Sequence, residues 1–239
     1  MVKPALKVLL IIPLLANGYL AGAKSADRRT SLNNLQESFD QLITIKNSQL
    51  LLNERGAIEL VARTAVFNRV LDLANEELSD LKKKLEKLSN PDRLQHLNNI
   101  KEYQSYHETV RGQINREIDL KELVDIAAKF KQWRETVYNK EIEKTINFVL
   151  VFQTQEAIKT AENRLDRIMR DFKIIKSYLM PNEWGVAEKL VDDAKNLIKE
   201  AKKINVEAQT SFNEVGIQTA TQKIAAAYKN FIAISDMVK

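Results

Sequence analysis

His96 and His107 are the side chains of this chain best suited to proton transfer or metal ligation near neutral pH. Eleven residues separate them, about 16 Å along a helix, too far for both to hold one ion. The di-iron pattern of helical bundles places Glu three residues before His. Here those positions are Arg93 and Gln104. Both histidines fall on the helical side that carries Ile100, Tyr103, Val110 and Ile114, so the sequence assigns them to partly buried structural positions. Other chemistries lack their residues. With no cysteine there is no disulfide, thiolate metal site or thiol nucleophile. No Gly-x-Ser-x-Gly elbow, His-Glu-x-x-His pair or glycine-rich phosphate loop occurs. Carboxylates are interleaved with lysines, and nothing marks a pair as general acid and base. The expectation is a non-enzyme with no catalytic residue, no metal and no cofactor.

Residues that could bind a partner form two groups. Lys82, Lys83 and Lys84 are consecutive cations, and Trp133 and Arg134 lie in the mixed aromatic and basic stretch Phe-Lys-Gln-Trp-Arg-Glu-Thr-Val-Tyr. These five are the candidate interaction surface. Each has a plainer reading, the lysines as a solvated helix face and Trp133 as the border of a core. The formal net charge of +5 is small for 239 residues, and basic and acidic residues are interspersed, so nucleic acid is not expected as a partner.

The first 23 residues differ from the rest. Lys3 and Lys7 precede an almost wholly apolar stretch at 8–20, and Ala21-Gly22-Ala23 offers small residues for cleavage, the three parts of an export signal. The apolar stretch is short of the ~20 residues that span a bilayer and is interrupted by Pro13 and Gly18, so an inner-membrane anchor at 1–23 is the alternative. Removal of Lys3 and Lys7 lowers the net charge to +3. No Asn-x-Ser/Thr sequon occurs, which favours a bacterial envelope. The expected location is periplasmic or extracellular, with membrane contact only through an uncleaved 1–23.

The positioning elements read as helices throughout. Six glycines and four prolines are too few for a turn-rich sheet fold. Positions 57, 60, 64, 67, 71, 74, 78, 81, 85 and 88 carry Ala, Leu, Thr, Phe, Leu, Ala and four further Leu, a 3–4 spacing that predicts one long seam. Ile58, Val61, Ala65, Val66 and Val70 widen its first half, where it should meet more than one neighbour. Leu32, Leu35, Phe39, Leu42, Ile43 and Leu50 predict an earlier helix, with a break near 53–56. Asp119 and Glu122 form a capping-box pattern opening a helix with Leu123, Ala127, Phe130 and Val137 inward. A second long helix is predicted over 141–179, with seam positions 151, 154, 158, 161, 165, 168, 172, 175 and 179. Its all-apolar stretch 148–152 reads as a fully enclosed part of that helix rather than a strand.

After Pro181, Asn182 can cap a helix with Ala at 187, 194, 201 and 208. Its partner, predicted to begin after Gly216, repeats Ile217, Ile224, Phe231 and Val238 every seven residues, with Ala220, Ala227 and Ile234 beside them. Alanines on both helices predict a closely packed hairpin. The fold class is therefore all-α, an elongated antiparallel bundle of coiled-coil-like hairpins with about six to seven helices. Its parts are the segment 1–23, a long-helix bundle at 24–180 and a C-terminal hairpin at 181–239.

The segment Trp133-Arg-Glu-Thr-Val-Tyr-Asn-Lys-Glu-Ile-Glu-Lys-Thr-Ile-Asn-Phe-Val-Leu-Val-Phe-Gln, with the export-like start, resembles a group of uncharacterised, exported, all-helical bacterial proteins. The resemblance implies an exported helical protein and carries no catalytic residue. In general character the chain is also similar to periplasmic holdase chaperones of the Skp kind, a likeness of fold alone. The function expected is a non-enzymatic interaction or scaffold protein of the bacterial cell envelope. The alternatives are a holdase-type chaperone, or a binder of acidic polymers or anionic lipid surfaces. A protein partner is expected. A second copy of the chain and packing within one chain account equally for the seams.

Overall fold

The computed structural model describes residues 26–47, 52–177, 179–211 and 213–237, and the export-like segment 1–23 lies outside them. The described residues form α1 (Ala26–Asn47), α2 (Leu52–Glu86), α3 (Arg93–Ile114), α4 (Leu120–Trp133), α5 (Asn139–Lys176), α6 (Pro181–Ser211) and α7 (Glu214–Met237). A π-helical turn, Arg134–Tyr138, joins α4 to α5, so residues 120–176 are one uninterrupted helical run. No strand occurs among the described residues, and the fold is all-α. None of the described helices is long and apolar enough to cross a membrane.

The chain divides into two units, one ending at Ile142 and the other beginning at Glu143. The sequence placed this division at Pro181. It falls earlier because Ile158, Ala161 and Leu165 of α5 share a core with α6 and α7, so most of α5 belongs with the hairpin.

In the first unit, α2 carries two buried stripes. Val66 and Leu73 pack with Leu35 and Phe39 of α1. Leu71, with Leu60 and Phe67 beside it, packs with Val110 and Ile114 of α3 and with Leu123 and Phe130 of α4. One helix thus serves two neighbours, as its wide stripe predicts. Leu71, Leu78, Leu81 and Leu85 are all buried. The start of the seam behaves differently: Ala57, Ile58, Val61 and Ala65 are exposed. The break expected near 53–56 also does not occur, because α2 begins at Leu52 and runs through those residues. Gly56 is tolerated there, and a methyl group in its place would meet nothing within 4 Å.

The start of α4 is fixed by the capping box. Glu122 N–H donates to Asp119 Oδ1 at 2.8 Å, and Asp119 N–H donates to Glu122 Oε2 at 3.3 Å. The π-turn then alters which residues face inward. A π-turn accommodates one residue more than an α-turn, which rotates everything after it. Val137, expected inside, is exposed, and Tyr138 takes the buried place.

In the second unit, Ala187, Ala194, Ala201 and Ala208 of α6 are buried, as are Ala220 and Ala227 of α7. Phe231 and Ile234 complete the same core with Val191 and Ile198. Lys202 pairs with Glu162 at 2.8 Å and Lys223 with Glu200 at 2.5 Å, tying α6 to α5 and α7 to α6. The stretch 148–152 is helical, with Phe148, Val149 and Val151 buried. Asn182 is not the cap of α6, because Pro181 itself is the first helical residue. Its fixed φ and missing N–H suit that position. Glu183 Oε2 accepts the Met180 N–H at 2.8 Å, the N3 half of a capping box rather than the N-cap role expected of Asn182. The partner helix starts at Glu214, so Gly216 lies within its first turn rather than before it.

Candidate functional site

Of the residues singled out by sequence, Trp133 and Arg134 stand against His107 in the first unit, whereas Lys82, Lys83 and Lys84 stand apart from it. On α3, the spacing of Ile100, Tyr103, His107, Val110 and Ile114 puts all five on the buried side. His107 is fully enclosed. Its ring lies 5.7 Å from Phe130, 5.7 Å from Trp133 and 5.8 Å from Tyr138, centroid to centroid. Tyr103 and Tyr106 extend the aromatic wall, the latter 4.1 Å from Trp133. Arg134 shares a side with Phe130 by its i+4 spacing, and the π-turn completes the cage by bringing Tyr138 to that side as well.

The protonation pattern follows from hydrogen bonding. Asn75 of α2 donates through Nδ2 to Glu108 Oε1 at 3.1 Å, which points its carbonyl oxygen at His107. His107 Nδ1 lies 2.7 Å from that oxygen and so carries the proton, leaving Nε2 as a lone-pair acceptor. Burial pushes the His107 imidazole down to about 4, and the Arg134 and Arg111 guanidiniums push in the same direction. Arg111 is itself matched, donating to Asp72 Oδ1 at 2.7 Å with Glu108 nearby at 3.5 Å. Arg134 is only 4% exposed, and its guanidinium carbon sits 5.5 Å from the Tyr138 ring centroid. Burial raises the Tyr138 hydroxyl above its ordinary value, against the pull of Arg134. His96 is half-buried, lowered by burial while Glu141 and Asp92 oppose the shift.

This arrangement corrects part of the candidate interaction surface. Arg134 points into the core rather than toward a partner. Trp133 is half-buried and packs on Tyr106 and Phe130, a core-border position. Lys82 and Lys83 are exposed, but Lys83 lies 3.3 Å from Asp80 and Lys82 3.9 Å from Glu86 on the same helix. Lys84, more buried than its neighbours, also has an interaction partner, so the run is not a bare cationic patch. Sequence reasoning missed Asn75 and Tyr138. The signal for Tyr138 was weak because a π-turn breaks the periodicity that would reveal it. Asn75 stands between Ala74 and Glu76 with no motif around it.

A neutral imidazole sealed in an aromatic cage is a poor base at pH 7 and has no access to a substrate. The cluster instead links α2, α3 and α4 through a single set of hydrogen bonds and ring contacts. Among the described residues, no group of three or more carboxylate or imidazole side chains is placed to hold a metal ion. No family model, curated protein or solved structure matches the chain.

Proposed function

We propose that this chain is a non-catalytic interaction protein of the bacterial cell envelope, working through the outer faces of its helices. The observation that carries the reading is the set of large apolar side chains that the two cores leave outside. Val61 (70%), Val215 (69%), Leu94 (60%) and Val206 (58%) are each more than half exposed. Single exposed apolar residues are ordinary, and those on α2 and α3 of the first unit and on α6 and α7 of the second offer anchors for a partner. The enclosure of His107 supports the same reading, since one of the chain's two histidines is held within the core. The envelope location rests on the charged, apolar and small-residue pattern of 1–23 and on the resemblance to exported helical proteins.

Photo-crosslinking residues placed at Val61 or Val215 in growing cells are expected to capture one protein partner from the envelope fraction. Val61→Asp or Val215→Asp should then abolish binding of that partner. The mass of the purified chain in solution separates a foreign partner from a second copy. Turnover of a small molecule by the purified protein, with gene deletion altering only that soluble conversion, refutes the reading.

A further inference from the structure

The π-turn at Arg134–Tyr138 stands beside His107 and holds the chain one residue out of helical phase. At 100° per residue, a continuous α-helix would put Val137 about 20° from Phe130 and Tyr138 about 80° from it. The structure has the reverse preference, with Tyr138 4% exposed and Val137 42%. The same five residues therefore offer two inward faces, a phenol in the π form and a valine in the α form. We propose that this turn is a two-register switch set by His107. It keeps the π form while the imidazole is neutral. When the imidazole takes a proton it closes to the α form, with Tyr138 outward and Val137 inward.

The π form is held in place by side chains. A π-turn is rare in helices and interrupts the ordinary ladder. Here the Asn139 N–H donates to Arg134 O, five residues back. In return Tyr138 enters the cage, 5.4 Å from Tyr103, 5.3 Å from Trp133 and 5.8 Å from His107, with the Arg134 guanidinium near its ring. Val137 is the apolar residue left outside, in phase for the other form.

A proton unbalances this cage. Nδ1 of His107 already directs one at Asn75 of α2, so a second must enter Nε2, across the ring. Nε2 is buried and has no hydrogen-bond partner. A charge placed there carries an unsatisfied N–H away from water, which is strongly unfavourable. The surrounding groups give little relief. Asp72 of α2 is bonded to Arg111 and Glu108 of α3 to Asn75. Glu77 of α2, which acts on Tyr138, is engaged as well. Tyr103 and Tyr138 are neutral phenols. The charges that act on the imidazole, Arg134 and Arg111, are both cations. Arg134 is the freer of the two, because its Nη1 makes no hydrogen bond. Exchanging the Tyr138 ring for the smaller Val137 removes bulk beside the imidazole and admits water, into which the long Arg134 side chain can turn. The switch requires neither a partner nor the envelope location.

The chain has no cysteine, so one introduced thiol reports its own exposure to 2,2′-dithiodipyridine, which reacts with thiols in acid as well as at neutral pH. Val137→Cys is compared with Thr136→Cys in the full chain, and the ratio of their rates cancels the effect of pH on the thiol. Thr136 lies about 120° from Phe130 in the α form and stays outside. His107 titrates at about 4 in the folded chain, so at pH 4 the ratio should fall to about half its value at pH 7. Far-UV circular dichroism should remain helical over the same range, and a His107→Gln background should leave the ratio unchanged. Acid that only loosens the first unit exposes position 137 further, the opposite of the covering expected here. A ratio that stays level or rises, an equal fall in His107→Gln, or loss of helix before the ratio falls overturns the inference.

Discussion

The two units solve the packing of long helices in different ways. The second closes most of its core with alanine, valine, isoleucine and phenylalanine at regular spacing, and the polar residues it buries, Thr145, Asn147, Thr154 and Asn205, carry no titrating group. The first encloses an imidazole, a guanidinium and a phenol among aromatic rings, with a π-turn to bring them together. Small side chains let helices approach closely and repeat a single register. Buried polar groups fix a register by demanding particular partners, at the cost of desolvation. The apolar packing of the second unit tolerates changes of pH, and the polar enclosure of the first does not. The consequences of removing a residue should therefore separate along the same line.

The largest effect belongs to the apolar core. Phe231 is 1% exposed and packs on Tyr228 at 5.5 Å. Phe231→Ala removes a buried ring and leaves a cavity between helices whose alanines cannot spread to fill it, so a loss of about 4 kcal/mol is expected. Urea unfolding measures the loss, and amide hydrogen exchange locates it. Protection should fall in α6 and α7 and be retained around His107. Equal loss of protection in α2 and α3 would show that the two cores do not respond separately.

The acid response should come from the first unit. His107 has a folded-state value of about 4, below the ordinary 6.5. Above pH 6.5 the group is neutral in both states and adds no pH dependence. As pH falls from 6.5 toward 4, the unfolded chain takes up a proton that the folded chain refuses, and stability declines. Across that window the loss amounts to about 3 kcal/mol. His107→Gln should flatten this slope while lowering stability at pH 7. Unfolding free energies measured at intervals between pH 4 and pH 8 check both. A parent protein with level stability from pH 7 to pH 4.5 would sink the assignment of a neutral, sealed imidazole.

The sequence disclosed the two cores to different extents, for the same physical reason. Heptad-spaced alanines and isoleucines state the second unit's packing directly, since each residue's role depends only on its place in a repeating pattern. The halves of α2 illustrate the limit. From Leu71 onward the 3–4 spacing identifies buried residues, but Val61 has the same residue character and is exposed, because the spacing says nothing of where a neighbour ends. At the polar cage the pattern fails outright. Tyr138 is out of phase by the residue that the π-turn absorbs, and Arg134 has the sequence character of a surface cation. Asp119 and Glu122 were legible because a capping box is local, made by residues three apart. Asn75 and His107 are 32 residues apart, and only the packing of α2 against α3 unites them.

The smallest effect compares two glycines. Gly112 lies near the end of α3, and a methyl group there meets nothing within 4 Å. Gly112→Ala exchanges a poor helix former for the best one on an open surface, so a gain of about 0.5–1 kcal/mol is expected. Gly216 lies in the first turn of α7, where the same methyl would stand 3.3 Å from Ala208 Cβ and 3.7 Å from Ile204 Cγ2. Ala208 Cβ is fixed directly to the backbone of α6 and cannot turn aside as the end of a longer chain could. The helices must part slightly, and their separation is what the alanine core depends on. The propensity gain at Gly216→Ala should therefore be cancelled or reversed, to a net loss of less than about 1 kcal/mol. Midpoints of urea unfolding for the two variants, at unchanged slope, decide the matter. If both substitutions stabilise equally, the hairpin has slack at its turn and the close approach of α6 and α7 is not what specifies it.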